Sequence, residues 1–434
     1  MIKNTGCFRE FARYASLNVL GMLGLSCYIL ADTYFIANGL GSDGLTALNL
    51  AIPVYSFIHG SGLMAGMGGS TRYSILKSLC RHEEADRMFT NAVMIAAALA
   101  CVYMCAGLFF TDSIVSALGA NASVFAMTKT YLQMILLFSP AFLLNNVLLC
   151  FVRNDGAPQL SMRAMLGGSL SNVALDYLFI FPCRMGIFGA VFATCLAPII
   201  SLSLLSVHFL RKNNQFHLSK SLPSAKYTAN ILTSGIPSLV TEVSSGVVMI
   251  VFNTVILHLC GNIGVAAYGV IANLSLVVLS IYNGIAQGIQ PVLSRHYGAG
   301  AQSLVRAVMR YALISTLLLS VAVYAVIVGF APQIAALFNK ENDPLLQQIA
   351  VEGLKLYFTA CPFVGFNLVI STYFTAVARP LPANLISVLR GFVVILPLAF
   401  LFSGLFQMTG VWCVFPVTEL LVAAVGGGFW LRKS

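Results

Sequence analysis

Charge is what this sequence has least of. Asp, Glu, Lys and Arg make up 9% of its 434 residues, against about 25% in an ordinary soluble domain, which excludes a water-soluble globular fold. The eleven cysteines contain no Cys-x-x-Cys pair and lie mostly in apolar stretches, so they read as small buried hydrophobes rather than metal or disulfide positions. The six histidines show no metal-ligand spacing, and no nucleophile stands near a matching base. Neither an enzyme nor a cofactor is expected. The glycine run from Gly60 to Gly69 lacks the Gly-Lys-Ser/Thr that a phosphate loop requires, and reads as close helix packing.

What fills the sequence instead is apolar: 59% of residues are hydrophobic. In hydrocarbon a backbone must satisfy its own hydrogen bonds, and unbroken runs of this length do so as helices. Apolar segments fall near 12–37, 47–74, 88–111, 126–152, 159–182, 186–210, 229–258, 266–294, 304–330, 346–376, 383–403 and 408–431. The expected fold is therefore all-α and polytopic, with twelve transmembrane helices. The net charge of +10 is explained by sidedness rather than by nucleic acid. With both termini cytoplasmic, only Lys129, Arg184, Lys340 and Lys355 of the 24 Lys and Arg fall on the outer side. The first segment follows a short basic stretch but is too long for a signal peptide and contains Asp32, so it reads as an uncleaved first helix.

The longest polar stretch sits at the midpoint, giving an N-terminal lobe over 1–210, a cytoplasmic linker over 211–228 and a C-terminal lobe over 229–434. Sliding the chain on itself reveals a repeat. Gly41 meets Gly261, Gly44 meets Gly264, Gly68 meets Gly288, Pro140 meets Pro362, Asn145 meets Asn367 and Pro158 meets Pro380. Each half holds six segments, so the halves are parallel, an arrangement found in transporters.

Of fourteen acidic residues, four lie at membrane depth: Asp32, Asp176, Glu242 and Glu419. A charge there costs at least about 2.5–3.5 kcal/mol, so each needs a reason. Asp32 lies about 7–8 Å and Asp176 about 9 Å below the outer surface, and Thr194 about 12 Å. Ser169, Asn172 and Asp176 share one helical face. Two carboxyls, an amide and a hydroxyl at one level can cage a small hard cation or share a proton. Interhelical hydrogen bonding is the alternative. The repeat partners of Asp32 and Asp176 are Phe252 and Pro397, so the scaffold does not require the acids. Glu242 could attract a cationic substrate or pair with a neighbouring serine. Glu419, three residues after Pro416, reads as structural, and Arg390 as snorkelling to the surface. Met64, Met67, Asn145, Asn283 and Gln287 are candidate cavity residues beside Glu242.

Asp32-Thr33-Tyr34-Phe35-Ile36, Arg153-Asn154-Asp155-Gly156-Ala157-Pro158, Asn172-Val173-Ala174-Leu175-Asp176 and Gly410-Val411-Trp412 with Pro416 and Glu419, in this order, resemble the multidrug and toxic compound extrusion (MATE) family over nearly the whole chain. The resemblance implies a V-shaped pair of lobes in the inner or plasma membrane, exporting amphipathic organic cations by alternating access in exchange for H+ or Na+. It places the coupling cation at Asp32, Asn172, Asp176 and Thr194. Leu17 stands at the repeat partner of Pro237, where family members often carry a helix-bending proline, so bending of the first helix would fall to Gly21 and Gly24. The expected partners are membrane lipid and organic cations, with the protein a monomer. A lipid-linked oligosaccharide flippase of the same superfamily is the alternative, and a channel or receptor bundle a more distant one.

Overall fold

The computed structural model describes residues 2–220, 223–339 and 343–432, with side chains from Gly6 onward. Lys340, and Ser221 and Leu222 of the expected linker, lie outside the described residues. In chain order the helices are α1 (Ile2–Ser78), α2 (His82–Phe109), α3 (Thr111–Ala117), α4 (Phe125–Leu137), α5 (Ser139–Asn154), α6 (Pro158–Ile180) and α7 (Gly186–Leu210). There follow α8 (Ala225–Gly298), α9 (Gln302–Phe338), α10 (Pro344–Tyr357), α11 (Cys361–Ala376), α12 (Pro380–Val388) and α13 (Ile395–Leu431). A 3-10 turn, Phe358–Ala360, joins α10 to α11, and a π-helical turn, Leu389–Val393, lies between α12 and α13. Among the described residues there is no strand, and the protein is an all-α integral membrane protein.

Among the described residues, seven helical stretches are long and apolar enough to cross a membrane, or eight if the bent pair α4 and α5 forms one span. They are fewer than the apolar segments because several polar breaks are kinks rather than loops. Gly41 (φ 70°, ψ −159°) interrupts α1 and Gly261 (φ 61°, ψ −154°) interrupts α8. Both sit in the left-handed region that glycine enters without a Cβ penalty. They are also repeat partners, so the duplication is visible in the backbone. Gln407 (φ 53°) breaks α13 in the same region without that freedom, at a cost of about 1–3 kcal/mol. Helix α6 is long enough to span but carries Arg163, Ser169, Asn172 and Asp176, which lower its apolarity.

The repeat extends to the prolines. Pro140 opens α5 just after the 49° bend from α4, and Pro362 opens α11 just after the 3-10 turn. A proline in the first helical turn needs no N–H partner, so both positions tolerate a break immediately before them. Leu17 to Gly24 is continuous helix. A Cβ on Gly21 would meet Met165 and one on Gly24 would meet Leu166 and Ser169, so these glycines let α6 approach α1.

The chain forms two compact units that do not divide at the midpoint. One holds Ser16–Val243 and Ser294–Ala301; the other holds residues up to Ala15, Ser244–Leu293 and Gln302 onward. In the first unit Gly68 lies against Ile231 and Gly235 at the start of α8. In the second, Gly288 lies against Tyr14 and Ala15 at the start of α1. Gly68 and Gly288 are repeat partners, so each half's opening helical turns pack on a unit built mainly from the other half.

The polar midpoint is strapped to the first unit rather than free. Phe216 is fully buried among Tyr73, Phe89, Phe151 and Phe209, with ring centroids 4.6–5.9 Å away. Asp155 Oδ2 accepts from Gln215 N (2.8 Å) and pairs with His208 Nε2 (2.8 Å), while its Oδ1 accepts from Tyr73 Oη (2.5 Å). His217 N donates to Asp86 (2.9 Å), Ser219 N to Thr90 (2.9 Å) and Ser224 N to Asn91 (3.0 Å). The Arg153-to-Pro158 motif thus has a visible structural task. Its aspartate holds the strap, and its buried arginine donates to Asn18 on α1.

Candidate functional site

Three helices of the first unit bring the acids together. α1 carries Asp32. α6 buries one face bearing Ser169, Asn172 and Asp176, and α7, turning in at Gly186 (φ 62°), carries Thr194. All five side chains are buried, Asn172 and Asp176 completely. The carboxyls of Asp32 and Asp176 lie within hydrogen-bond reach of each other. With its amide oriented to satisfy both ends, Asn172 donates to Asp176 Oδ2 (3.0 Å) and accepts from Thr194 N (3.3 Å). The Thr194 hydroxyl donates to Ala190 O (3.2 Å). Ser169 shares the face but packs against Gly24.

The cluster is under-satisfied. Asp32 Oδ1 and Asp176 Oδ1 are buried with no hydrogen-bond partner among the described residues. No Lys, Arg or His there forms an ion pair with either acid. Two buried carboxylates in contact repel, and neither can remain charged at low cost without a proton or a cation. The two unpartnered atoms are carboxyl oxygens, the ligand type a hard cation takes. No three His, Cys, Asp or Glu residues converge as a metal site among the described residues.

Three tyrosines complete the surroundings. Tyr28 and Tyr55 share a hydrogen bond between hydroxyls (3.0 Å), and Tyr131 lies beside Thr194. Tyr28 precedes Asp32 by one helical turn, a spacing the sequence reading passed over. Tyr55 and Tyr131 arrive from α1 beyond its kink and from α4, and no sequence spacing marks them. The Tyr55 ring stacks on His59 (5.8 Å, 17°), and His59 Nδ1 lies 3.4 Å from Glu242 Oε2. Glu242 therefore joins a polar chain through His59 and Tyr55 to Tyr28 beside Asp32.

The other candidate positions scatter. Met64 and Met67 are buried; the Met67 sulfur accepts from Arg153 (3.4 Å). Asn145 is half-buried, next to Asn146, whose amide donates to His59 O (3.2 Å). Asn283 and Gln287 lie one turn apart on α8, half-buried, in the second unit. The glycine run does pack closely: Gly60 meets Glu242 and Leu239, and Gly62 and Gly66 meet Asn146.

Glu419 belongs to a different arrangement. It is fully buried in the second unit, where Asn367 Nδ2 donates to its Oε2 (2.7 Å) and to its backbone carbonyl (2.9 Å). Arg390 donates through Nε to its Oε1. Arg390 does not snorkel as expected. It sits in the π-helical turn, where an added residue shifts the register of the helix face, and the buried carboxylate holds its charge inside.

The sequence profile of the MatE family matches residues 19–178 and 237–401, blocks that begin within the duplicated segments of the two halves. The Multidrug export protein MepA of Staphylococcus saprophyticus is 24% identical over 423 residues, covering 97% of this chain and 92% of that protein. MepA of Staphylococcus aureus strain MSSA476 is 24% identical over 418 residues, covering 96% and 92%. Among solved structures, an outward-facing multidrug resistance MATE family transporter of the MOP superfamily superposes with a TM-score of 0.90 at 24% identity, covering 98% of this chain and 94% of that one. A MOP superfamily transporter from Pyrococcus furiosus, with a binding pocket described as of reverse polarity, gives 0.89 at 24% identity, covering 98% and 94%. With the profile matched in both halves and the fold shared along nearly the full length, the chain belongs to the MatE family.

Proposed function

We propose that the protein is a multidrug exporter that exchanges H+ or Na+, taken up at Asp32, Asn172, Asp176 and Thr194, for amphipathic organic cations by alternating access in the inner or plasma membrane. The observation that carries this reading is the buried pair Asp32 and Asp176, in mutual contact, with an unsatisfied oxygen on each. Such a pair has two states of different charge. Ionised, it draws a cation; once a proton or Na+ has bound, that attraction falls, and a positive substrate is released. Each ligand thereby shifts the equilibrium that the other depends on. The names of the relatives, multidrug export proteins, agree with this direction of transport. A flippase for a pyrophosphate lipid would call for free basic groups at depth, whereas Arg390 is already neutralised by Glu419.

The test is ethidium efflux from proteoliposomes under separately imposed proton and sodium gradients. Wild-type protein should respond to one of them, and Asp32→Asn and Asp176→Asn should each reduce gradient-driven efflux to the rate of empty vesicles while remaining folded. Full transport by both variants overturns the reading.

A further inference from the structure

The basic end of α9, in the second unit, carries a feature outside the acid cluster. Arg306 and Arg310, one turn apart, line a groove of about 340 Å³ in the second unit together with Met309, Tyr373 and Trp430. Both arginines are exposed, and among the described residues no carboxylate pairs with either guanidinium. Along the same face, Ile314, Leu317 and Val321 follow at helical spacing and are exposed. From Arg310 to Val321 the stripe runs about 16 Å at 1.5 Å per residue, close to half the roughly 30 Å hydrocarbon core.

We propose that this groove is a binding site for one anionic phospholipid of the adjacent leaflet. The phosphate sits between the two guanidiniums, the glycerol lies against Tyr373 and Trp430, and an acyl chain follows the Ile314 to Val321 stripe. The chemistry is complementary at each level. Guanidinium forks match phosphate oxygens in bidentate geometry. Amphipathic aromatic rings favour the headgroup boundary. The apolar stripe has the length of a chain in one leaflet. Plain snorkelling explains each arginine singly, but not a groove that both share with two aromatic side chains. The site is independent of the coupling reaction and stands or falls apart from it.

The chain supplies its own probe, because it has two tryptophans: Trp430 in the groove and Trp412 fully buried. Full-length protein is reconstituted in phosphatidylcholine vesicles containing rising fractions of dibrominated phosphatidylglycerol or dibrominated phosphatidylcholine. Trp430→Phe gives the Trp412 contribution to subtract. Half-quenching of Trp430 should need about thirtyfold less of the brominated anionic lipid than of the zwitterionic one, from two basic groups at the membrane surface. Arg306→Gln with Arg310→Gln should abolish that preference, and Arg306→Lys with Arg310→Lys should retain most of it. Retention by the lysine variant guards against a folding artefact. Equal quenching by the two lipids, or a preference unchanged in the glutamine variant, overturns the proposal. Relief of quenching by excess inorganic phosphate would assign the site to a soluble anion and overturn it as well.

Discussion

Asp32 and Asp176 in one unit and Glu419 in the other are all buried carboxyl groups in a duplicated scaffold, yet their surroundings differ in sign. The first two meet each other, an amide and hydroxyls, each with an oxygen left over. Glu419 meets a guanidinium and an amide that occupy both of its oxygens. At the repeat partner of Asp32 the second unit places Phe252, buried and stacked on Tyr268 (5.6 Å). A carboxyl that is electrostatically complete gains little from changing its charge, whereas an incomplete pair has charge left to balance. Duplication supplied the fold twice, and among the described residues the two units differ in how their buried acids are partnered.

This contrast can be broken by removing one partner on each side. Arg390→Met leaves Glu419 buried without its base, and should cost about 3–5 kcal/mol, read as a lower unfolding temperature in detergent. Adding Glu419→Gln should recover most of that loss. Asp176→Asn should show no comparable loss, since it removes repulsion rather than attraction. Equal destabilisation by Arg390→Met and Asp176→Asn would erase the distinction.

A buried acid of the first unit that is fully partnered sharpens the comparison. Asp155→Asn keeps the size but weakens the bonds to Tyr73, His208 and Gln215 N. The expected cost is about 1–3 kcal/mol, together with faster proteolytic cleavage between Arg211 and Lys220. On this expectation Asp155 resembles Glu419 in stability, although it shares a unit with Asp32 and Asp176. The smallest change is Tyr28→Phe, which deletes the hydroxyl contact with Tyr55 while leaving both acids in place. A loss of about 0.5–1.5 kcal/mol in stability, with gradient-driven efflux retained, would show that the tyrosines support the pair rather than carry the ion.

The acid cluster was largely legible because its signals are local. Depth follows from residue count, and a shared face from spacing, as for Asn172 and Asp176. Tyr131 and Tyr55 were not legible, since they approach from other helices and an aromatic hydroxyl in an apolar run carries no mark of its neighbour. The same holds for Arg390. Its distance from the helix end suggested snorkelling, but a carboxylate 29 residues further along the chain offered a closer partner than the surface. The polar midpoint read as a linker by composition, and Phe216 alone gave no sign that an aromatic cage was waiting for it.

By itself the sequence determined that this chain lives in lipid, that its backbone is helical, that it is a duplication and that its acids are concentrated unequally. Those properties depend on transfer free energy and periodicity, which act residue by residue along the chain. Only the tertiary structure decided which polar groups are balanced. It turned two glycines and a glutamine into kinks, matched Arg390 with Glu419, fastened the strap to Asp155 and left Asp32 facing Asp176. Charge compensation depends on distances between groups remote in sequence, and the fold alone sets those distances.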